Sequence, residues 1–501
     1  KITSLSRREF LKTTGLAGSG LLLGLSGTTL VSTADSGTFG LPPFISIEPD
    51  GSIHIGMPGS EMGQGIHTTL ASVLADELEI RMDQITSLET IHHPAFNNQP
   101  MKYFTSGVLD TQMTGGSITL LAFFGQFRKM GAAAREMLRL AAAEQWGTPI
   151  DQCRAADGKI TNTQSGESLE YGVLAGAAAA LAVPEDPPLK SPDQFKLIGT
   201  KVPRVDTSVK IDGSAVFGTD VDLPGMLYGA VRHCPVFSSK IAGIDDTAAK
   251  AIPGVVAVIP LENLVIVVAT NTWIAMQGAD ALVIKATGGD ASFGDADIDT
   301  RIEQSLNAPD PGAPVAHEGD ADQAISSSDA TMEFEYAVSL QAHATMEPPC
   351  ATAQVTDEGC DVWAPTQTQG LTAMIASMVT ELPPEKIRIH TTYLGGGFGR
   401  KSSPDFVVPA LIAAKVTGRP VKVTWSRTED IQHDHYLPPF RVRLNAGLDA
   451  DGIPRALSVR LAGPSTSIGM VPLLGSYFPP WMAENGFDWA TCVGMFDFTS
   501  Q

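Results

Sequence analysis

The sequence predicts a multi-domain α+β protein, on three observations. The chain has 501 residues, several times the roughly 100–200 of one ordinary domain. Short apolar β-type runs are mixed with helical patterns along its whole length. Breaks of Pro and polar residues, at 184–188 and across 290–330, divide it into at least three units.

The elements follow in order. From Phe44 the chain alternates as a strand, turns at Pro49-Asp50-Gly51 and resumes as Ser52-Ile53-His54-Ile55, the pattern of a β-hairpin. Gly63-Gln64-Gly65 opens a helix on which Ile66, Leu70, Val73, Leu74 and Leu78 share one face. A second helix runs from about Ser117 to Trp146 and is stopped by Gly147 and Pro149. An Ala-rich helix near 172–182 ends at Pro184, and Pro184-Glu185-Asp186-Pro187-Pro188 reads as a linker. The next unit, 196–290, holds β-type runs at Leu227–Val231, Val255–Ile259 and Leu264–Ala269 and closes with a helix near Trp273. Residues 290–330 are polar and read as a loop-rich connection. The last unit alternates strands (Thr331–Val338, Thr352–Val355, Ile387–Thr392, Val421–Ser426) with helices near 369–381 and 405–416. The final helix requires Pro409 to sit in its first turn.

Hydrophobic residues make up 43% of the chain, enough for real cores. The net charge is −21, from 34 Lys+Arg against 55 Asp+Glu, which argues against nucleic acid or an anionic membrane as partner. Cys153, Cys234, Cys350, Cys360 and Cys492 are scattered without a C-x-x-C, so no zinc or iron–sulfur site is expected on this chain. Residues 1–36 read as a targeting segment. Arg7-Arg8 followed by Phe10, Leu11 and Lys12 is a twin-arginine export signature, with an uncharged Gly/Leu stretch behind it. That route carries folded proteins, typically with a bulky cofactor already inserted, and predicts a periplasmic location. The Gly15–Val31 run is too broken by Gly and Ser for a convincing span. No clean cleavage site follows, so a weak membrane tether stays open.

Two Gly-rich segments carry the candidate chemistry. Glu61-Met62-Gly63-Gln64-Gly65 lies between a strand and a helix, and Gly395-Gly396-Gly397-Phe398-Gly399-Arg400 follows a strand. Glycines there let backbone N–H groups approach an anion, and a helix N-terminus adds a favourable dipole. Neither segment is a Walker loop or a G-x-G-x-x-G. Alone, each reads equally well as a tight turn. Trp363-Ala364-Pro365-Thr366-Gln367 ends a β segment shortly before the second.

A Thr-Gln at a strand end, a helix, a strand and then Gly-Gly-Gly-Phe-Gly resembles the molybdenum hydroxylases, the large subunits of xanthine oxidase and aldehyde oxidoreductase. The Glu-Met-Gly-Gln-Gly segment comes first here, an order similar to the isoquinoline 1-oxidoreductase β subunit and its membrane-side aldehyde dehydrogenase relatives. Thr114-Gly115-Gly116-Ser117, His343 to Pro348 and Trp425-Ser426-Arg427 look like that subfamily too. The resemblance implies an N-terminal molybdopterin-binding part at 40–190, an a/b hammerhead domain at 196–290 and a truncated molybdopterin-binding domain at 320–501. It implies a molybdenum–molybdopterin cofactor, in its cytosine dinucleotide form, and a [2Fe–2S] cluster on a small partner subunit, with a cytochrome c as a further acceptor. The implied reaction is hydroxylation of an aldehyde or aromatic N-heterocycle with water as the oxygen source.

Site roles carry over in the same way. Gln367 would bond the apical oxygen of the molybdenum centre, with the backbone of Phe398 and Gly399 facing the same ligand. Gly63, Gln64 and Gly65 would contact the pterin or its phosphate. Gly115, Gly116 and Ser117 would bind the dinucleotide phosphates. Gly395, Gly396, Gly397 and Arg400 complete the cofactor-binding set, Arg400-Lys401 being either solvated or near a phosphate. His343 and Glu347 are explained by pocket lining or by packing. His433-Asp434-His435 looks like a metal pair but lacks a third ligand, so no protein-ligated metal is expected.

The resemblance breaks at two points. Ser402 stands where relatives carry a substrate-side acidic residue, which disfavours purine-type substrates. The Gly-x-Gly-Glu segment that supplies the family's general base has no match after Gly399, where Glu429 and Glu484 are the only glutamates. The tail Cys492 to Gln501 stops mid-domain and the chain begins with Lys1. A fragment, a frameshifted gene and a split subunit are the alternatives. The competing function is a catalytically inactive remnant or partner-binding fragment.

Overall fold

The computed structural model describes residues 20–26, 29–33, 43–104, 110–310, 312 and 316–464. The twin-arginine signature and the Cys492–Gln501 tail lie outside them. No helix among the described residues is long and apolar enough to cross a membrane.

The N-terminal unit is a five-stranded sheet backed by helices. The expected hairpin forms as Pro43–Ile47 antiparallel to Ile53–Met57. Leu21–Ser26 and Thr29–Thr33 extend the same sheet. The targeting reading set these residues apart from the fold; the structure instead pairs Leu21–Ser26 with Pro43–Ile47 and buries Leu21 and Leu23 in the core. Ile66–Leu78 and the long helix Ile118–Trp146 pack together on this sheet. They meet at Gly131, where a Cβ would lie 2.6 Å from the Leu74 carbonyl, so the close approach of the two backbones requires the missing side chain. Fully buried Glu77 receives Arg128 at 2.6 Å and Arg135 at 3.3 Å across the same contact.

A seven-stranded sheet forms the centre of the remainder. Its order is Val255–Pro260, Leu264–Ala269, Leu227–His233, Val421–Thr424, Cys350–Thr356, Gly359–Ala364 and Ile387–Thr391. The sequence places 196–290 in a domain of its own. The structure joins it to the last unit, because Leu227–His233 pairs parallel with Val421–Thr424. Leu264–Ala269 is buried on both faces, as its unbroken apolar run requires. Leu264, Ile266 and Val268 enter a core with Val423, Phe406 and Leu411. Val265, Val267 and Ala269 face Ala275 and Ala279 of helix Thr272–Asp280. Helix Val408–Thr417 forms with Pro409 in its first turn, as the proline demanded.

A three-stranded sheet of Ala330–Val338, Phe440–Leu448 and Pro454–Ala462 completes the described fold. Helices Asp295–Leu306 and Ala321–Ser326 pack on it. This corrects the loop-rich reading of 290–330. Polar composition hid an amphipathic helix whose Ile298, Ile302 and Leu306 recur every four residues and meet Ala462.

Two parallel strands of the seven-stranded sheet set the site. Gly359–Ala364 and Ile387–Thr391 run side by side, so their C-terminal ends leave the sheet at the same edge. Asp361 bridges them, accepting from Arg388 Nε and His390 Nε2, each at 2.7 Å. The Trp363 and His390 rings stack at 4.6 Å. Burial raises the Asp361 carboxyl, but His390 and Arg388 outweigh it and hold the pKa at about 2. A depressed carboxylate stabilises the fold above its unfolded pKa of about 3.9, and the benefit fades as pH falls towards the folded value. Asp361→Asn is therefore expected to cost roughly 2 kcal/mol at neutral pH. The gap between wild type and variant should narrow between about pH 4 and 2, by denaturant melts at each pH. A pH-independent gap would refute the ion-pair account.

Candidate functional site

Gln367 is the hub at this edge. It is 2% exposed. Its side-chain Nε2 donates to the Thr114 carbonyl at 3.0 Å and its Oε1 accepts from the Gly399 N–H at 3.2 Å. Its backbone N–H donates to the Lys401 carbonyl at 2.9 Å, and its carbonyl accepts from the Thr114 N–H at 2.7 Å. Three segments distant in sequence thus meet on one residue: Thr114 to Ser117, Pro365 to Gln367, and Gly395 to Arg400. The second N–H of the Gln367 amide has no acceptor among the described residues.

The fourth segment joins through Ser60 and Met62. Ser60 Oγ donates to the Thr366 carbonyl at 2.6 Å and accepts from Gln369 Nε2 at 2.6 Å. The Leu394 N–H donates to the Glu61 carbonyl at 3.1 Å. At Gly397 a Cβ would sit 2.6 Å from Gln367 Oε1 and 2.8 Å from Met62 Sδ, so only glycine fits between the two motifs. Among the described residues the N–H groups of Gly396, Gly397 and Phe398 meet no acceptor. They make a run of free donors beside Gln367, the donor chemistry an anionic or oxo-bearing cofactor requires. Phe398 has φ 54° and is 67% exposed. A non-glycine residue in the left-handed region is uncommon and marks a site held by its surroundings.

Glu347 holds the Gly-rich loop from below. Its Oε2 accepts from the Gly395 N–H at 3.0 Å and from Lys401 Nζ at 2.6 Å, and its Oε1 accepts from the Thr219 N–H at 3.2 Å. Lys401 is fully buried. Arg400 is buried as well. It pairs with Asp405 at 2.8 Å and Asp434 at 3.1 Å and lies 5.3 Å over the Trp425 ring. Burial opposes the Asp405 charge, but Arg400 holds its pKa down to about 2. These contacts correct the expectation for Arg400 and Lys401. Neither is solvated, and the Arg400 guanidinium pairs with two carboxylates. Asp434 also accepts from the His343 backbone N–H at 2.5 Å and faces His343 Nδ1 at 2.9 Å. The opposite ring nitrogen of His343 lies 3.5 Å from where a Gly399 Cβ would be.

Two family models match the chain, both described as a molybdopterin cofactor-binding domain. They cover residues 6–221 and 307–469, together most of its length. Among curated proteins the chain is 29% identical to a membrane-bound aldehyde dehydrogenase [pyrroloquinoline-quinone] of Gluconacetobacter polyoxogenes, over 92% of this chain and 60% of that one. It is 27% identical to the beta chain of isoquinoline 1-oxidoreductase from Brevundimonas diminuta, over 99% and 68%. It is 27% identical to one of the subunits of nicotinate dehydrogenase from Pseudomonas putida, over 86% and 36%. The chain belongs to the molybdenum hydroxylase large-subunit family. A solved aldehyde oxidoreductase from Desulfovibrio gigas overlaps 92% of this chain and 51% of its own at 17% identity and a TM-score of 0.43. The chain spans only part of its relatives, 60% of the first of these curated proteins.

Within this molybdenum hydroxylase chain, the residues expected to serve the cofactor are brought together at Gln367, Gly395 to Gly399 and Gly115 to Ser117. Gly116 and Ser117 both take left-handed φ values, 56° and 57°, at the start of the long helix. The Glu61–Gly65 segment forms a turn around the Glu61 carboxylate. The Gly63 and Gly65 N–H groups donate to Glu61 Oε1 at 2.9 and 3.0 Å, and the His67 N–H to Oε2 at 3.1 Å. Burial pushes the Glu61 carboxyl up, and His67 with these N–H groups brings it below its usual range. The Gln64 amide folds back, donating to the Ser60 carbonyl at 2.9 Å and accepting from the Met62 N–H at 2.9 Å. The Gly63 and Gly65 N–H groups are thus committed to the segment's own turn.

Sequence reading missed Ser60, Gln369 and Asp434 as site supports. Ser60 and Gln369 adjoin the motifs and carry no signal besides that adjacency. Asp434 was visible only as the centre of His433-Asp434-His435. The three side chains diverge, Asp434 to His343, His435 to Asp405 at 3.4 Å and His433 to Glu429 at 3.7 Å.

Proposed function

We propose that the chain is the molybdopterin-binding part of a molybdenum-dependent oxidoreductase. The substrate is an aldehyde or an aromatic N-heterocycle, and water is the oxygen source. One observation carries this reading: three separated motifs meet on Gln367 and a fourth joins them through Ser60 and Met62, beside consecutive free N–H donors at Gly396, Gly397 and Phe398. Gln367 with Gly396 to Gly399 would hold the metal-bearing end, and Gly115 to Ser117 would hold phosphate at the helix start. When bound, the cofactor supplies the oxidising metal centre and its oxygen ligand. The chain's residues place it. Gln367 presents an amide N–H fixed by its bond to Thr114, and Glu347 fixes the loop carrying the other donors. The name of the first relative contains a quinone, but both domain matches are to molybdopterin binders, which favours molybdopterin here.

The reading extends to the cytosine dinucleotide form of the cofactor, a small [2Fe–2S] partner subunit with a cytochrome c beyond it, and twin-arginine export to the periplasm, free or tethered. The motif at Arg7-Arg8 and the lack of a C-x-x-C support these steps. The test is purification from the periplasm of the native host, with metal analysis, cofactor extraction and turnover in ¹⁸O-labelled water. The expected result is molybdenum near one per chain, a cytosine nucleotide in the extract, and label in the carboxylate or hydroxy-heterocycle product. Molybdenum-free protein, or oxygen drawn from O₂, would overturn it.

A further inference from the structure

Outside the Gly-rich region, one cluster among the described residues brings metal-ligating groups together: His233, Glu429 and His433, with one donor atom from each all within 4.8 Å of one another. They come from two elements. His233 ends the central strand Leu227–His233. Glu429 lies in helix Arg427–Gln432, and His433 follows that helix, so the i, i+4 spacing puts both on one face. Ser426 caps the helix, accepting from the Glu429 N–H at 3.2 Å. Glu429 Oε2 accepts from His233 Nδ1 at 2.7 Å and from the His233 backbone N–H at 3.1 Å, and faces His433 Nε2 at 3.7 Å. Arg232 holds the other oxygen, Oε1, at 3.2 Å. The two imidazoles stack at 4.4 Å. Their side chains are 10% and 12% exposed, so the cluster lies at the surface edge of a packed region, within reach of an ion.

We propose that His233, Glu429 and His433 bind a divalent transition metal of the zinc class, separate from the Gly-rich cofactor site. Two imidazoles and one carboxylate form the donor set that suits such an ion, with the fourth position left to water. Zinc bonds of about 2.0–2.2 Å set tetrahedral donors roughly 3.3 Å apart, so the 2.7 Å His233–Glu429 pair opens around the ion and the 3.7 Å gap from Glu429 to His433 Nε2 closes. The His433 ring, just past the helix end, closes that distance by rotating off the stack. The ion replaces the proton shared between His233 Nδ1 and Glu429. Arg232 steadies the carboxylate through its second oxygen, the usual office of a group behind a ligand. This arrangement ties the central strand to the helix after Trp425. The His233 ring lies 4.6 Å from Trp425, which also carries Arg400 of the Gly-rich loop at 5.3 Å. The ion would therefore brace the wall against which that loop is packed.

The test is titration of the purified full chain with Zn²⁺ and with Co²⁺, by calorimetry and by the cobalt d–d absorption. One equivalent should bind, with a four-coordinate cobalt spectrum. His433→Ala and Glu429→Gln should each weaken it by more than the ~10–100-fold that losing a supporting group costs. His435→Ala, which removes a neighbouring imidazole that faces Asp405 and not this cluster, should leave it unchanged. Circular dichroism of each variant separates lost ligation from lost folding, and His433→Gln gives a milder replacement should the alanine variant unfold. Absence of stoichiometric binding, or equal loss in His435→Ala and His433→Ala, would overturn the proposal. An adventitious ion only, bound weakly and indifferent to all the variants, would overturn it too.

Discussion

Gly397→Ala is expected to empty the cofactor site while leaving the fold intact. The new methyl would lie 2.6 Å from Gln367 Oε1 and 2.8 Å from Met62 Sδ, both closer than a real Cβ tolerates. Gln367 cannot retreat cheaply, because its amide is tied to Thr114 and Gly399 and its backbone to Lys401 and Thr114. Overpacking of this kind costs about 1–3 kcal/mol. If the strain falls on the arrangement that holds the cofactor, that is roughly 5–150-fold in retention. Molybdenum per chain, by mass spectrometry on the complex from its host, should fall accordingly, with the melting temperature displaced by only a few degrees. Gly294→Ala is the control, since nothing lies within 4 Å of the Cβ it adds. Full molybdenum content in Gly397→Ala would show that the loop has room to spare, and that the convergence on Gln367 does not decide binding.

The same residues show what the sequence made legible. Elements with strong periodicity or clear stops were readable. The Ile66–Leu78 and Ile118–Trp146 helices, and the Leu264–Ala269 strand, follow from apolar spacing and from Gly147 as a left-handed cap. Asp295–Leu306 was not, because three apolar residues among acidic ones make a weak stripe. The strands Ser239–Asp245, Val283–Gly288, Phe440–Leu448 and Pro454–Ala462 were missed for a related reason. They are partly exposed and mix charged with apolar residues, so pairing and not burial defines them. The motifs that resemble the family were legible as strings, and their meeting on Gln367 is a matter of strand order that no local pattern contains. Charge was the least legible property. Arg400 and Lys401 look like surface residues in sequence. Their carboxylate partners, Asp405 and Asp434 for Arg400 and Glu347 for Lys401, are brought to them only by the fold.

That last pair gives the second large expected effect. Lys401 has no exposed surface, and its ammonium faces Glu347 Oε2 at 2.6 Å. Glu347→Gln would leave a buried cation without its counter-charge, a loss of about 3–5 kcal/mol. The variant should melt at markedly lower denaturant. Glu347→Gln with Lys401→Met removes the orphaned charge and fills its space, and should recover most of the loss, since apolar replacement of a buried pair is often neutral. Recovery of stability need not restore the site. Glu347 also accepts from the Gly395 and Thr219 N–H groups, and a glutamine keeps only one acceptor oxygen for them. Hydrogen exchange at the Gly395 amide should therefore stay faster in the double variant than in the wild type, even when the denaturation midpoints agree. Equal destabilisation in the single and double variants would instead assign the role to the backbone bonds alone. The Glu347–Lys401 charge pair would then have no part in holding the Gly-rich loop.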